Sequence, residues 1–130
     1  MTIEDQWICH RWRGHGDVLN KATDADRRNP LTNLPPLITS EWLNKPRELR
    51  AKTCATADDA VAWLETEVNA VSPQIKEPGA WSRFTTSIED FRDRLTAFRP
   101  VTVSYWLVDN TRLDLNVTPS RWREPEAPPS

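Results

Sequence analysis

Three glycines in 130 residues leave no room for a phosphate-cradling loop. Neither a P-loop nor a dinucleotide-binding fingerprint can be written with them, so nucleotide-dependent enzymes of those types are excluded. Two cysteines and two histidines fall short of a standard zinc module: the spacing of His10 and His15 fits one, but the matching cysteine pair is missing. No apolar run approaches the ~18 residues that would span a bilayer. The opening residues, MTIEDQWICH, have neither a basic start nor an apolar stretch, so no secretory signal is read there. The expectation is a cytoplasmic chain with reduced thiols at Cys9 and Cys54. Charge of one sign is also missing. Seventeen basic side chains face nineteen acidic ones, for a net charge of −2. A polycation seeking nucleic acid is therefore not expected.

What is abundant is tryptophan, with seven, and proline, with eleven. Tryptophan carries an N–H that needs a partner when buried, and it is enriched where proteins bind one another. Charged residues are 28% and hydrophobic residues 38% of the chain, the balance of a polar globular protein.

Alternation places a strand at residues 7–13, with Ile8, His10 and Trp12 on one side and Trp7, Cys9, Arg11 and Arg13 on the other. Gly14-His15-Gly16-Asp17 reads as a turn. Residues 18–56 show no sustained period, and Pro35-Pro36 stiffens them into extended geometry. A short helix near Ser40 or Pro46 is the most that can be read there. The stretch TADDAVAWLETEVNAVS is an amphipathic helix. Thr56 caps it, Asp58 and Asp59 occupy its first turn, and Ala57, Ala60, Val61, Leu64, Val68 and Val71 form its apolar stripe. Trp63 falls off that stripe. A short strand is expected at 80–85. A second helix follows, with Thr86 or Ser87 as cap, a seam of Ile88, Phe91, Leu95 and Phe98, and Pro100 as its stop.

Residues 101–118 give a hairpin signal. Val101, Val103, Tyr105 and Leu107 alternate on one strand, Leu113, Leu115 and Val117 on its return, and Asp109-Asn110 turns between them. The expected fold is α+β. Two helices pack on one face of a largely antiparallel sheet in a ferredoxin-like arrangement, within a single domain of residues 1–118. The proline-rich, charged tail 119–130 is expected to be disordered.

Candidate chemistry follows from these elements. His10 and His15 with Cys54 or Asp17 form the one conceivable metal set. The cysteine pair that usually completes such a site is missing, and Cys9 and His10 point to opposite faces of a strand. No metal or cofactor is therefore expected. A Cys, His15 and Asp17 nucleophile lacks any supporting motif. Asp24 and Asp26, flanked by arginines, read as a solvated turn before they read as a magnesium site. On the first strand Trp7, Arg11 and Arg13, extended by Trp106, offer stacking and phosphate contacts for single-stranded nucleic acid. The helix carrying Asp58, Asp59, Glu65 and Glu67, with Trp63 as anchor, offers a surface for a basic partner protein. The sequence favours this last class by elimination: a non-enzymatic binding or regulatory protein of adaptor or immunity type. A nucleic-acid accessory protein is the alternative, and a small metal-dependent enzyme comes behind both.

Overall fold

The structure, a computed structural model, describes residues 5–122. Four strands make one antiparallel sheet in the order β2-β1-β4-β3. They are β1 (Trp7–His15), β2 (Arg50–Cys54), β3 (Val101–Trp106) and β4 (Thr111–Pro119). Two short helices, α1 (Gly16–Lys21) and α2 (Asp24–Arg28), and two 3-10 turns (Thr39–Asn44 and Arg47–Leu49) connect β1 to β2. Three more helices, α3 (Ala57–Val71), α4 (Ala80–Thr86) and α5 (Ile88–Thr96), connect β2 to β3. None of the described helices is long and apolar enough to cross a membrane.

The α+β class and the β3-β4 hairpin match the sequence expectation. The element order does not reproduce the βαββαβ of a ferredoxin-like unit, because β1 and β2 are adjacent antiparallel partners and the chain ends on a hairpin. The tail differs at its start. Pro119 is the last residue of β4, and the Trp122 N–H donates to the Pro119 carbonyl at 2.9 Å. Residues 123–130 of that expectation lie outside the described residues.

The helix face of the sheet holds the main core. Trp7 and Cys9 of β1 and Leu113, Leu115 and Val117 of β4 pack with Val61, Leu64 and Val68 of α3, Phe84 of α4 and Leu95 of α5. Helix α3 forms where its sequence signals say: the Thr56 hydroxyl accepts the Asp59 N–H at 3.1 Å. Residues 80–85 are helical rather than extended. Gly79 sits at φ +80° and turns the chain into α4, and Ala80 and Phe84, four apart, face inward together. A strand and a two-turn helix cannot be told apart by so short an apolar run.

The part of the aperiodic segment 18–56 that precedes β2, residues 18–49, covers the opposite face. Trp12 of β1, Leu19 of α1, Trp42 and Leu49 form a second buried cluster, flanked by Leu34. Isolated anchors rather than a periodic stripe hold this layer, which is why no period shows. Its internal pin is Lys45, whose buried ammonium donates to the carbonyls of Arg27 (2.5 Å) and Asn29 (2.8 Å) and to the Thr32 hydroxyl (3.1 Å). Met at this position keeps the methylenes but removes the ammonium donor from the Arg27 carbonyl, while the Asn29 carbonyl keeps the Thr32 N–H and hydroxyl. Lys45→Met is expected to cost about 2–3 kcal/mol, read as a lower urea midpoint with an unchanged slope.

Candidate functional site

The structure divides the residues singled out above. Trp63 is 8% exposed and belongs to the main core, so it is not the exposed anchor the helix surface required. The reason is packing: α5 and β2 lie against α3 and widen its apolar arc to include position 63. Asp58 pairs with Arg92 of α5 at 3.0 Å, and Asp59 is exposed in the first turn, where its backbone N–H donates to the Thr56 hydroxyl. Glu65 is half-buried. Glu67 accepts Arg11 Nε at 3.0 Å. Two residues assigned to rival surfaces thus neutralise one another.

The nucleic-acid set is likewise split. Trp7 is buried, donates its indole N–H to the Leu95 carbonyl at 2.9 Å and stacks on Phe98 at 5.6 Å. Arg13 binds Asp109 at 3.2 Å and Gln74 at 3.3 Å. Trp106 pairs in register with Arg112, which lies opposite Gly14, whereas Arg13 lies opposite Leu113. Trp106 therefore sits on the sheet face away from Trp7, Arg11 and Arg13.

No group of three histidine, cysteine or acidic side chains gathers for a metal among the described residues. Cys9 and Cys54 are buried free thiols, Sγ to Sγ 3.8 Å, on the helix face. Burial, and then the neighbouring Cys54, push the Cys9 thiol well above its ordinary range, which is the opposite of an activated nucleophile. His10 lies on the other face, 1% exposed and stacked on Trp42 at 5.4 Å. Burial, helped by the Arg50 charge, lowers its pKa to about 4. Asp24 and Asp26 open α2, where the Asp26 carboxylate accepts the Thr23 N–H and the Thr23 hydroxyl accepts the Asp26 N–H.

One cleft collects what remains. It encloses about 690 Å³ at the end of the sheet where β1 passes into α1 and the hairpin turns. His15, Asp17 and Asn20 line one wall, Lys76 and Glu77 a second, and Trp106 and Asn110 a third. The walls are tied by backbone. The Gly16 N–H donates to the Asn110 carbonyl, and the Lys76 N–H to the Trp106 carbonyl, each at 2.9 Å. His15 Nδ1 accepts the Asp17 N–H at 3.2 Å. Glu77 pairs with Arg83 at 2.9 Å.

Gly14 and Gly16 serve two indoles rather than a turn. Strand β1 runs on through Gly14 to His15. A Cβ on Gly14 would lie 2.5 Å from Cζ2 of Trp12, and one on Gly16 would lie 2.3 Å from Cζ3 of Trp106. Each absent side chain is the seat of a ring. Over Gly16, Trp106 stays 41% exposed, with the Arg112 guanidinium 5.6 Å from its ring centroid. Arg112 is itself held by Asp114 at 3.2 Å. Sequence reasoning found His15, Asp17 and Trp106 but not their meeting. It missed Asn20, Lys76 and Glu77, for which no local signal exists.

No family model, no curated protein and no solved structure matches this chain. The cleft therefore has to be read from its own chemistry.

Proposed function

We propose that the chain is a small non-enzymatic binding protein, of adaptor or regulatory type, that recognises a segment of another protein in the Trp106 cleft. The observation that carries this reading is an indole, 41% exposed, seated over Gly16 at the mouth of a cleft lined by charged and amide side chains. A rigid aromatic anchor surrounded by polar groups is the usual chemistry of a binding hot spot. The cleft's size lies within the range of ordinary ligand sites. Asp17 and Glu77 offset Lys76, so the lining has no cationic excess to hold phosphate. It suits a peptide that covers the indole with an apolar or aromatic side chain and brings a lysine or arginine to Asp17, since Glu77 is already paired with Arg83.

Single-stranded nucleic acid is the second reading. It keeps Trp106, with Arg112 beside it as a stacking pair, and loses Trp7, Arg11 and Arg13 to the core and to ion pairs.

Selection from a random displayed-peptide library on the immobilised protein tests the proposal. The wild type should enrich peptides that pair an aromatic or aliphatic residue with Lys or Arg. Trp106→Ala should weaken the selected peptides at least about thirtyfold, about 2 kcal/mol. Trp81→Ala, which removes a similarly exposed indole (46%) on α4, should leave them unchanged. Equal binding to Trp106→Ala, or no enrichment at all, contradicts the reading. Tight salt-dependent binding of oligonucleotides instead of peptides would replace it with the second.

A further inference from the structure

The two edges of the sheet are built differently. Edge β2 has the sequence RAKTC, and its Arg50 and Lys52 are exposed. Charges of this kind stop strands of neighbouring molecules from adding. Edge β3, VTVSYW, has no charge and no proline along its length. Only its far end is covered among the described residues: the Lys76 N–H reaches the Trp106 carbonyl and the Val108 N–H reaches the Gln74 carbonyl. In an antiparallel ladder, successive residues direct their backbone groups to opposite sides. The even-numbered residues of β3 therefore face outward. Thr102 and Ser104 present their N–H and C=O groups along an open edge, while Val101, Val103 and Tyr105 pair with β4.

We propose that β3 is a self-association edge, and that a second copy of this chain adds its own β3 antiparallel to it, making a continuous eight-stranded sheet about a two-fold axis at Val103. The backbone selects this register. Centred on Thr102, the pairing would set Ser104 against Pro100, which has no N–H to give and whose carbonyl already accepts Arg94 at 3.1 Å. Centred on Ser104, it would set Thr102 against Trp106, whose carbonyl is already taken by Lys76. Centred on Val103, each Thr102 faces the partner's Ser104 and all their outward groups are satisfied. The opposed side chains are then Val103 with Val103, Thr102 with Ser104 and Val101 with Tyr105, and none is charged. Pairing through β2 would instead bring Arg50 and Lys52 toward their own copies. Pro100 and Arg99, which in this register would meet the partner's Lys76 and the partner's Ile75, both precede β3, so the chain has to turn away from the partner before Val101 and the ladder is confined to residues 101–105. The same axis puts both Trp106 indoles on one sheet face, separated by ~20 Å along the strand direction.

Sedimentation of the wild-type chain and cysteine crosslinking test this together. The wild type should sediment as a dimer at high concentration, with slow exchange of the Thr102 and Ser104 amide protons that quickens on dilution. In Val103→Cys the two thiols fall at a non-hydrogen-bonded pair, with Cα atoms ~4.5 Å apart, a separation a disulfide accepts. Diamide should join them at least about tenfold faster than it joins Ser82→Cys, an exposed position on α4. Cys9 and Cys54 are buried and do not compete. A chain that sediments as a monomer throughout overturns the proposal, as does a dimer in which Val103→Cys crosslinks no faster than Ser82→Cys.

Discussion

Replacing Trp63 by alanine is expected to unfold much of the domain's stability reserve, about 3–5 kcal/mol, rather than to remove a binding contact. The side chain is 8% exposed and lies in the core shared by α3, α5 and the sheet. A domain of this size has a total stability of about 5–15 kcal/mol, so the loss takes at least about a fifth of it. Urea or thermal unfolding gives the answer directly: a large drop in midpoint, with Trp63→Phe much less affected because it refills most of the space. A loss under about 1 kcal/mol with cooperativity intact would return Trp63 to the surface and revive the acidic-helix reading.

Acidification should destabilise the protein through His10. Its folded pKa is about 4, lowered chiefly by burial and then by Arg50, against about 6.5 in the unfolded chain. Between these two values the unfolded state binds the proton and the folded state does not, so stability rises with pH across the window and falls as pH drops through it. Above pH 7 both states are neutral at this position and the penalty is gone. Below pH 4 it has reached its full size, about 3 kcal/mol from a gap of about 2.5 pKa units. Urea midpoints measured from pH 7.5 down to 4 check this, with His10→Gln as the non-titrating reference. The variant should lose most of the slope. A slope shared equally by wild type and His10→Gln would assign the acid sensitivity to other groups.

The layers of the fold were legible in proportion to their periodicity. Helix α3 and strands β3 and β4 repeat their apolar residues at 3.6 and 2, and each was read close to its true bounds. In β4 the alternation gave the right face and hid something else. Asp114, Asn116 and Thr118 look like a solvated side, yet all three are buried. The 18–49 layer covers part of that face, and the residues satisfy much of one another: Asn116 donates to Thr102 at 2.9 Å, Thr118 to Asn116, and Ser104 to Asp114. Nothing in a polar-apolar alternation tells a wet polar face from a buried, paired one.

Segment 18–49 stayed unread because Leu19, Trp42 and Leu49 are single anchors, and Lys45 holds backbone carbonyls that no side-chain pattern records. The Trp106 cleft was visible only in fragments. Gly16 marks its floor, but a glycine that seats an indole ninety residues away in sequence looks the same as a glycine that turns the chain. The identity of the ring it serves follows only once β1, β4 and β3 are in register.

The most direct check is tryptophan-resolved oxidative footprinting of the native protein, with and without a selected basic-aromatic peptide. Trp81 and Trp106 should oxidise fastest, while Trp7, Trp12, Trp42 and Trp63 stay protected. Added peptide should then slow Trp106 and leave Trp81 unchanged. Trp63 reacting as fast as Trp81, or Trp106 indifferent to the bound peptide, would contradict the assignment of the binding surface to the hairpin cleft.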